Sequence, residues 1–338
     1  MDELDLALIN AVQLRPRAPW SEMAEPLGVD AATLSRRWTR LTETGAAWVT
    51  CYPGNSQVQF GAIALMEVCC RPGTSEAVAE RIARHPYPLT VEITSGDRDL
   101  ILTVAAASSR ALSDYVLRVI SREPDVTAVR TMPVVGAYRE ASRWRLDSLD
   151  PVQRTTLQTD RSTDKASPRS LAEDRRLLLA LGENGRMPIT EISERTGLPA
   201  TTLRRRIDHL TKTGRAVLRC DFAHEPAGWR AQVMLWLRAI PNEQDRIADA
   251  LVQMSTTRAC WALAGRANLG LYLWLHTMQD LPHIEREITR RFPTADVIDR
   301  AVTLRVVKRT GRMLDQSGRA TSHVPMDVWS EPLVSSAD

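Results

Sequence analysis

Several things are scarce in this chain, and each scarcity excludes a class of protein. Its 338 residues include five cysteines, Cys51, Cys69, Cys70, Cys220 and Cys260. That odd number, with no CxxC pair, argues against both a disulfide framework and a zinc site. Cys51 and Cys220 are expected to be small buried strand residues. No stretch stays apolar for the roughly 18 residues a membrane helix needs, so no membrane partner is expected. There is no GxSxG elbow, no phosphate-cradling GxxxxGK(S/T) and no HExxH. The six histidines, His85, His209, His224, His276, His283 and His323, lack metal-ligand spacing. No catalytic residue, metal or cofactor is therefore expected. The opening MDELDLALINAV is acidic where a secretory signal would be basic, which predicts a cytoplasmic protein. What remains is ordinary soluble-globular composition, 43% hydrophobic and 25% charged, in a chain long enough for two to four domains.

The chain does contain a copy of itself. Gly28, Ala31, Thr33, Leu34, Arg36, Arg37, Leu41, Thr42, Thr44, Gly45, Ala47 and Cys51 recur 169 residues later as Gly197, Ala200, Thr202, Leu203, Arg205, Arg206, Leu210, Thr211, Thr213, Gly214, Ala216 and Cys220. The same offset carries Pro72 onto Pro241, Gly96 onto Gly265, Leu112 onto Leu281 and Pro124 onto Pro293. Such a period is too long for a solenoid, so each copy must be a self-sufficient module. The net charge of +3 is unevenly shared. Residues 1–140 sum to about −3 and residues 170–310 to about +6, so the second copy should grip an anion more firmly.

Each copy has a front and a back part. In the first front part, helical spacing predicts helices over 2–14, 20–27 and 31–44. Pro16 and Pro19 stop the first, Gly28 ends the second, and Asp30 caps the third, which Gly45 closes. A short strand follows. The back part reads strand–helix–strand–strand–helix–strand, the ferredoxin-like split βαβ order. One face of such a sheet is covered by its own helices and the other is free to meet a second sheet. The expected class is α+β: two copies of a winged or simple helix-turn-helix domain, each followed by a ferredoxin-like βαββαβ domain. The boundaries fall at 1–52, 58–140, 171–222 and 228–310, with a linker over 141–170 and a polar tail over 311–338.

The third helices, TLSRRWTRLTETG and TLRRRIDHLTKTG, carry the function-bearing pattern. Leu34, Trp38 and Leu41, like Leu203, Ile207 and Leu210, make one apolar stripe. The opposite side presents Thr33, Ser35, Arg36, Arg37 and Arg40 in copy one, and Thr202, Arg204, Arg205, Arg206 and His209 in copy two. A short helix, a glycine turn and such a helix form a helix-turn-helix pattern. Arginine forks suit phosphate or guanine, and hydroxyls suit phosphates or bases, so double-stranded DNA is the expected partner. A second segment, the turn SGDRDL with Gly96, Asp97 and Asp99, is matched by AGRANL with Gly265 and Asn268. Its exposed amides suit a carboxylate and its acid suits an ammonium group.

The combination resembles the Lrp/AsnC family of leucine-responsive, or feast/famine, regulators, as two family units in tandem. The resemblance implies that the back domains, of the RAM type, pair through their sheets into homo-oligomers. It also implies that a small effector, typically an amino acid, binds near the Gly-x-x-Asp turn. Gly96 and Asp99 match that motif, whereas Asn268 stands where the second copy would need Asp. An amide carries no charge for an ammonium, so sensing is expected in the first half. Siroheme decarboxylases of heme biosynthesis resemble the same family. Asn268 and Trp274 echo their turn, but Asp97 or Arg266 occupies their histidine position. A further alternative is a ligand-sensing assembly module without DNA binding. As a regulator, the chain should read an imperfectly palindromic operator, because Ser35 faces Arg204 and Arg40 faces His209 across the repeat.

Overall fold

The computed structural model describes residues 1–54, 62–158 and 174–330. Two compact units emerge. One is drawn from Met1–Gly61, Arg145–Ala223 and Thr310–Ser330, the other from Ala62–Trp144 and His224–Arg309. Residues 159–170 of the expected linker and 331–338 of the expected tail lie outside the described residues.

The first unit holds both helix-turn-helix heads. In head one, α1 (Glu3–Leu14) starts at a capping box in which Asp2 accepts from the Asp5 amide. Helix α2 (Trp20–Leu27) ends where Gly28 turns left-handed at φ 66°, a conformation that favours glycine. Asp30 then caps α3 (Ala31–Glu43), and strand β1 (Ala47–Pro53) follows. Head two repeats this as α7 (Arg175–Glu183), α8 (Ile189–Thr196), Gly197 at φ 73°, α9 (Ala200–Lys212) and β6 (Ala216–Phe222). Strands β1 and β6 pair antiparallel, with Thr50 opposite Arg219 at the centre of the register. Those two residues are themselves 169 apart, so a pseudo-two-fold axis passes between them.

The second unit is an eight-stranded antiparallel barrel. The first half supplies β2 (Ala62–Cys70), α4 (Ser75–Ala83), β3 (Pro88–Thr94), β4 (Leu100–Ala106), α5 (Ser109–Asp114) and β5 (Val126–Arg139). The second half supplies β7 (Ala231–Ala239), α10 (Gln244–Leu251), β8 (Thr257–Leu263), β9 (Leu269–Leu275), α11 (Leu281–Arg291) and β10 (Ala295–Arg309). The strand ring runs β10–β3–β4–β2–β5–β8–β9–β7 and closes because β7 also pairs with β10. Within each half the order β3–β4–β2–β5 or β8–β9–β7–β10 is ferredoxin-like, as the strand–helix rhythm predicts. The sheets do more than face each other. The long strands β5 and β10 each leave their own sheet and pair with the other half. Val134 lies opposite Leu263, and Thr303 opposite Thr94. These two pairs are the same pair under the 169-residue offset, so each open edge is paired by the copy related to it.

Outside the barrel, Leu235, Leu237, Leu271 and Leu273 pack under Ile247 and Leu251 of α10 and Ile288 of α11. Inside, Leu65, Ile101 and Met132 of the first half meet Met234, Trp236 and Ala301 of the second. The core is thus shared by both halves, which burial of the free sheet face requires.

Two segments differ from expectation. The linker is ordered over 141–157: Trp144, Leu146, Leu149 and Leu157 are buried, and α6 (Pro151–Leu157) is capped by Asp150. The polar tail contains a hairpin, β11 (Arg312–Leu314) with β12 (Ala320–His323). It docks on head one, where the Ala320 amide donates to Gly45 O at 2.9 Å and Arg319 Nη1 to Thr44 O at 3.1 Å. A Cβ on Gly45 would fall 2.1 Å from Ala320 O, so this docking needs glycine there.

The heads are also clasped reciprocally. Arg17 donates to Gly185 O at 2.6 Å and Met187 O at 2.9 Å. Arg186, the residue 169 further on, donates to Pro16 O at 2.7 Å and Ala18 O at 2.9 Å. Burial pushes the Arg186 guanidinium down to about 10, and its ring-facing side covers Trp20 at 3.8 Å. Alanine at either arginine orphans two carbonyls and is expected to lower unfolding free energy by about 1–3 kcal/mol. Urea denaturation checks this, and an Arg17→Ala midpoint equal to wild type would remove the clasp from the account of head pairing.

Candidate nucleic-acid interface

The recognition-helix arginines separate into two sets. In α3, Leu34, Trp38 and Leu41 are buried, as the stripe predicts. Thr33 is consumed locally: its amide donates to Asp30 Oδ1 at 2.8 Å and its hydroxyl to Asp30 Oδ2 at 2.7 Å. Ser35 is half-buried and Arg36 is exposed. Arg37 turns back onto α1, with Nη1 at 2.7 Å from Asp2 Oδ2 and 2.9 Å from Asp5 Oδ1. Arg40 Nη2 sits 2.7 Å from the same Asp5. The guanidinium of Arg37 holds the Asp2 carboxyl below the usual carboxylate range.

Head two repeats the arrangement. Leu203, Ile207 and Leu210 are buried, and Thr202 is half-buried. Arg206 Nη1 lies 3.4 Å from Asp174 Oδ1, and Asp174 stands 169 residues after Asp5. The inner arginine of each Arg-Arg pair therefore ties the recognition helix to an acidic residue at the start of the first helix. That tie was missed by reading the helices alone, although the recurrence of Asp5 as Asp174 carries the signal. His209 is half-buried and its Nε2 has no hydrogen-bond partner. Arg204 and Arg205 are exposed and, like Arg36, have no ion-pair partner among the described residues. These three are the recognition-helix arginines with no acid beside them among the described residues.

A cleft opens beside each recognition helix. That of head two, about 510 Å³, is lined by Arg15, Arg17, Arg204, Ile207 and Thr211. That of head one, about 530 Å³, is lined by the equivalent Trp38, Thr42, Asn184 and Arg186, together with Ala320 to Ser322 of the docked hairpin.

At the turns, two of the five expected effector residues, Asp99 and Asn268, also bond within the fold. Asp99 Oδ2 accepts from the Cys70 amide at 2.7 Å. Its counterpart Asn268 accepts from the Ala239 amide at 2.9 Å and donates to Ala239 O at 2.8 Å, and Ala239 is the equivalent of Cys70. Asp to Asn at this position therefore keeps the amide contact and adds a donor. Gly96, at φ 100°, and Asp97 are exposed, as is Gly265. Between them the turns differ at one buried position. Arg98 is 3% exposed, with Nε 3.2 Å from Glu67 Oε1, a second pairing to Asp299, and its guanidinium 4.7 Å over Trp236. Its counterpart is Ala267, and the counterpart of Glu67 is Trp236.

A second cluster lies within the barrel unit around Trp274. Arg258 stands 3.7 Å and Arg309 5.0 Å over that indole, with Trp144 and Trp229 at 5.4 and 6.4 Å from it. His224 is 5.7 Å from it, and its Nδ1 is buried without a hydrogen-bond partner. Burial, then Arg309 and Arg258, push His224 down to about 3. Folding thus favours neutral His224, a contribution complete above the unfolded value of roughly 6.5 and lost as pH falls from there toward 3. At most about 1.4 kcal/mol per pH unit is at stake. His224→Phe should flatten the fall of the urea midpoint between pH 7.5 and 5.5; an unchanged slope would assign that fall to other groups.

Comparison with known proteins agrees with this division of the chain. A model of the AsnC-type helix-turn-helix domain matches residues 1–42 and 172–211, and one of the Lrp/AsnC ligand binding domain matches 63–144. The HTH-type transcriptional regulator FL11 of Pyrococcus horikoshii is 26% identical over 143 residues, 42% of this chain and 94% of that protein. The leucine-responsive regulatory protein of Rhizobium meliloti is 24% identical over 145 residues, 42% of this chain and 93% of that one. Among solved structures, the siroheme decarboxylase NirDL superposes with a TM-score of 0.59 at 15% identity, covering 96% of each chain. At that identity the likeness is one of fold.

Proposed function

Starting from a chain built of Lrp/AsnC-type helix-turn-helix and ligand-binding domains, we propose that it is a sequence-specific DNA-binding regulator that acts as a pseudo-dimer within a single chain. One observation carries this reading. Two helix-turn-helix heads related by the β1–β6 axis each leave an exposed arginine at the same position, Arg36 and Arg205, without an ion-pair partner among the described residues. Heads on a two-fold axis suit half-sites about 34 Å apart or a multiple of that. The two heads are unequal: head two adds Arg204, whereas head one commits Arg40 to Asp5. Head two then carries more of the phosphate contacts, and the operator departs from a palindrome. Genome-wide mapping of bound DNA tests the reading. Enrichment at discrete sites with two dissimilar half-sites supports it, and uniform background at low salt overturns it.

The fold of a siroheme decarboxylase over the full length favours a second reading, in which the chain acts on a tetrapyrrole. Incubation with siroheme under anoxic reducing conditions, read by mass spectrometry for loss of carbon dioxide, separates the two. Unchanged siroheme removes the enzyme reading.

A further inference from the structure

We propose that the cleft beside the recognition helix of head one binds a small aromatic carboxylate, its ring against the tryptophans of the cleft and its charge toward Arg312. None of the residues concerned belongs to the Gly96 and Gly265 turns, and the site stands whether or not the heads bind DNA.

The first argument is space with an aromatic lining. The cleft holds about 530 Å³, and small-molecule sites span roughly 300–1,000 Å³. Trp20 of α2, Trp38 of α3 and Trp48 of β1 all line it, and the docked hairpin adds Ala320 to Ser322. The rings of Trp20 and Trp38 are 6.0 Å apart and tilted by 43°. Trp20 is only half-buried, so indole surface is available at the cleft.

The second argument comes from the repeat. The positions equivalent to Trp20, Trp38 and Trp48 are Ile189, Ile207 and Val217, and these line the matching cleft of head two. Trp38 and Ile207 are equally buried, each 7% exposed. A head of this fold therefore packs with aliphatic side chains at all three places. Three indoles instead give one cleft the polarised ring surface that aromatic ligands pack against.

The third argument is unmet polarity. Arg186 and Arg312 line the cleft, and neither has an ion-pair partner among the described residues. Arg186 spends its donors on the carbonyls of Pro16 and Ala18, and Arg312 Nη2 donates to Glu183 O. Burial lowers the pKa of both guanidiniums, as it does for cations taken from water without a counter-charge. The acid lining the cleft, Glu43, is exposed, where water screens it. Arg312 Nε and Trp48 Nε1 are buried donors with no hydrogen-bond partner. Such donors are costly, and a carboxylate answers them with two charged acceptor oxygens.

The test titrates the full chain, without DNA, with benzoate and naphthoate in a calorimeter. Benzamide serves as the uncharged isostere of benzoate, and acetate as the carboxylate without a ring. Saturable binding of an aromatic carboxylate is expected, with little for benzamide or acetate. Arg312→Met should weaken it on the order of tenfold, the loss of one charged hydrogen-bond donor. Trp20→Ile, which installs the side chain head two already carries there, should weaken it about fivefold. That second variant keeps the question answerable if Arg312→Met does not fold. No saturable heat with either aromatic carboxylate, equal binding of benzamide or acetate, or wild-type affinity in a folded variant would overturn the proposal. DNA binding measured separately reports on the regulator reading and not on this one.

Discussion

Alanine at both Arg204 and Arg205 weakens binding to an operator fragment on the order of 30-fold at fixed salt, because two exposed donors of the recognition helix are lost. If both meet phosphates, the plot of log affinity against log salt also becomes shallower by roughly 1.8, at about 0.9 per phosphate contact. Arg36→Ala in head one gives about half that change in slope. The inner arginines behave otherwise. Arg206→Ala leaves Asp174 unpaired, and Arg37→Ala removes the contacts to Asp2 and Asp5, so both lower head stability while the salt slope stays at the wild-type value. Fluorescence anisotropy across a salt series distinguishes these outcomes. A double variant Arg204→Ala/Arg205→Ala with the wild-type slope would end the assignment of α9 to DNA.

Arg98→Ala destabilises the barrel unit by about 3 kcal/mol near neutral pH. The Arg98 side chain is 1% exposed and its partner Glu67 7%, and removing one member of a buried pair typically costs about 3–5 kcal/mol. The lower end applies because Arg130 Nη1 remains 3.7 Å from Glu67 Oε2, and Arg266 remains 3.3 Å from Asp299. Burial already raises the Glu67 pKa. Without Arg98 the carboxyl is protonated more readily, so the deficit shrinks as the medium is acidified. Replacing the pair together, as Glu67→Gln/Arg98→Met, recovers most of the loss, since no buried charge is then left alone. Denaturant titrations at two pH values measure all three effects. An Arg98→Ala deficit that does not change with pH would mean that Glu67 is not the orphaned group.

Local signals made much of the fold legible. The start of α1 at Asp2, the end of α2 at Gly28 and the capping of α3 by Asp30 are decided by neighbours within one helical turn, so the sequence reveals them. The split of the back parts into strand and helix was legible for the same reason. The crossing of β5 and β10 into the opposite sheet was not, because an alternating strand pattern shows which face is buried but not which edge it joins. The hairpin over Arg312–His323 was hidden by polar composition, although its docking partner Gly45 was conspicuous. Helix periodicity placed Arg37 and Arg206 among the outward arginines. Their direction is set by acids more than 30 residues upstream, Asp5 and Asp174, which no local window contains. The bond of Asp99 to the Cys70 amide depends on a strand end brought near only by folding, so the turn sequence does not show it.

The closure of the barrel by strands from both halves of one chain has a consequence for dose. Two separate protomers would share their heads through an equilibrium that dilution shifts. Here the second partner is tethered, so its local concentration is fixed by the polypeptide and not by expression level. Occupancy of a two-headed operator should then rise with the first power of protein concentration, without the threshold that dimerisation imposes. The two heads are also inherited as one gene, always in a one-to-one ratio, which lets each drift toward its own half-site.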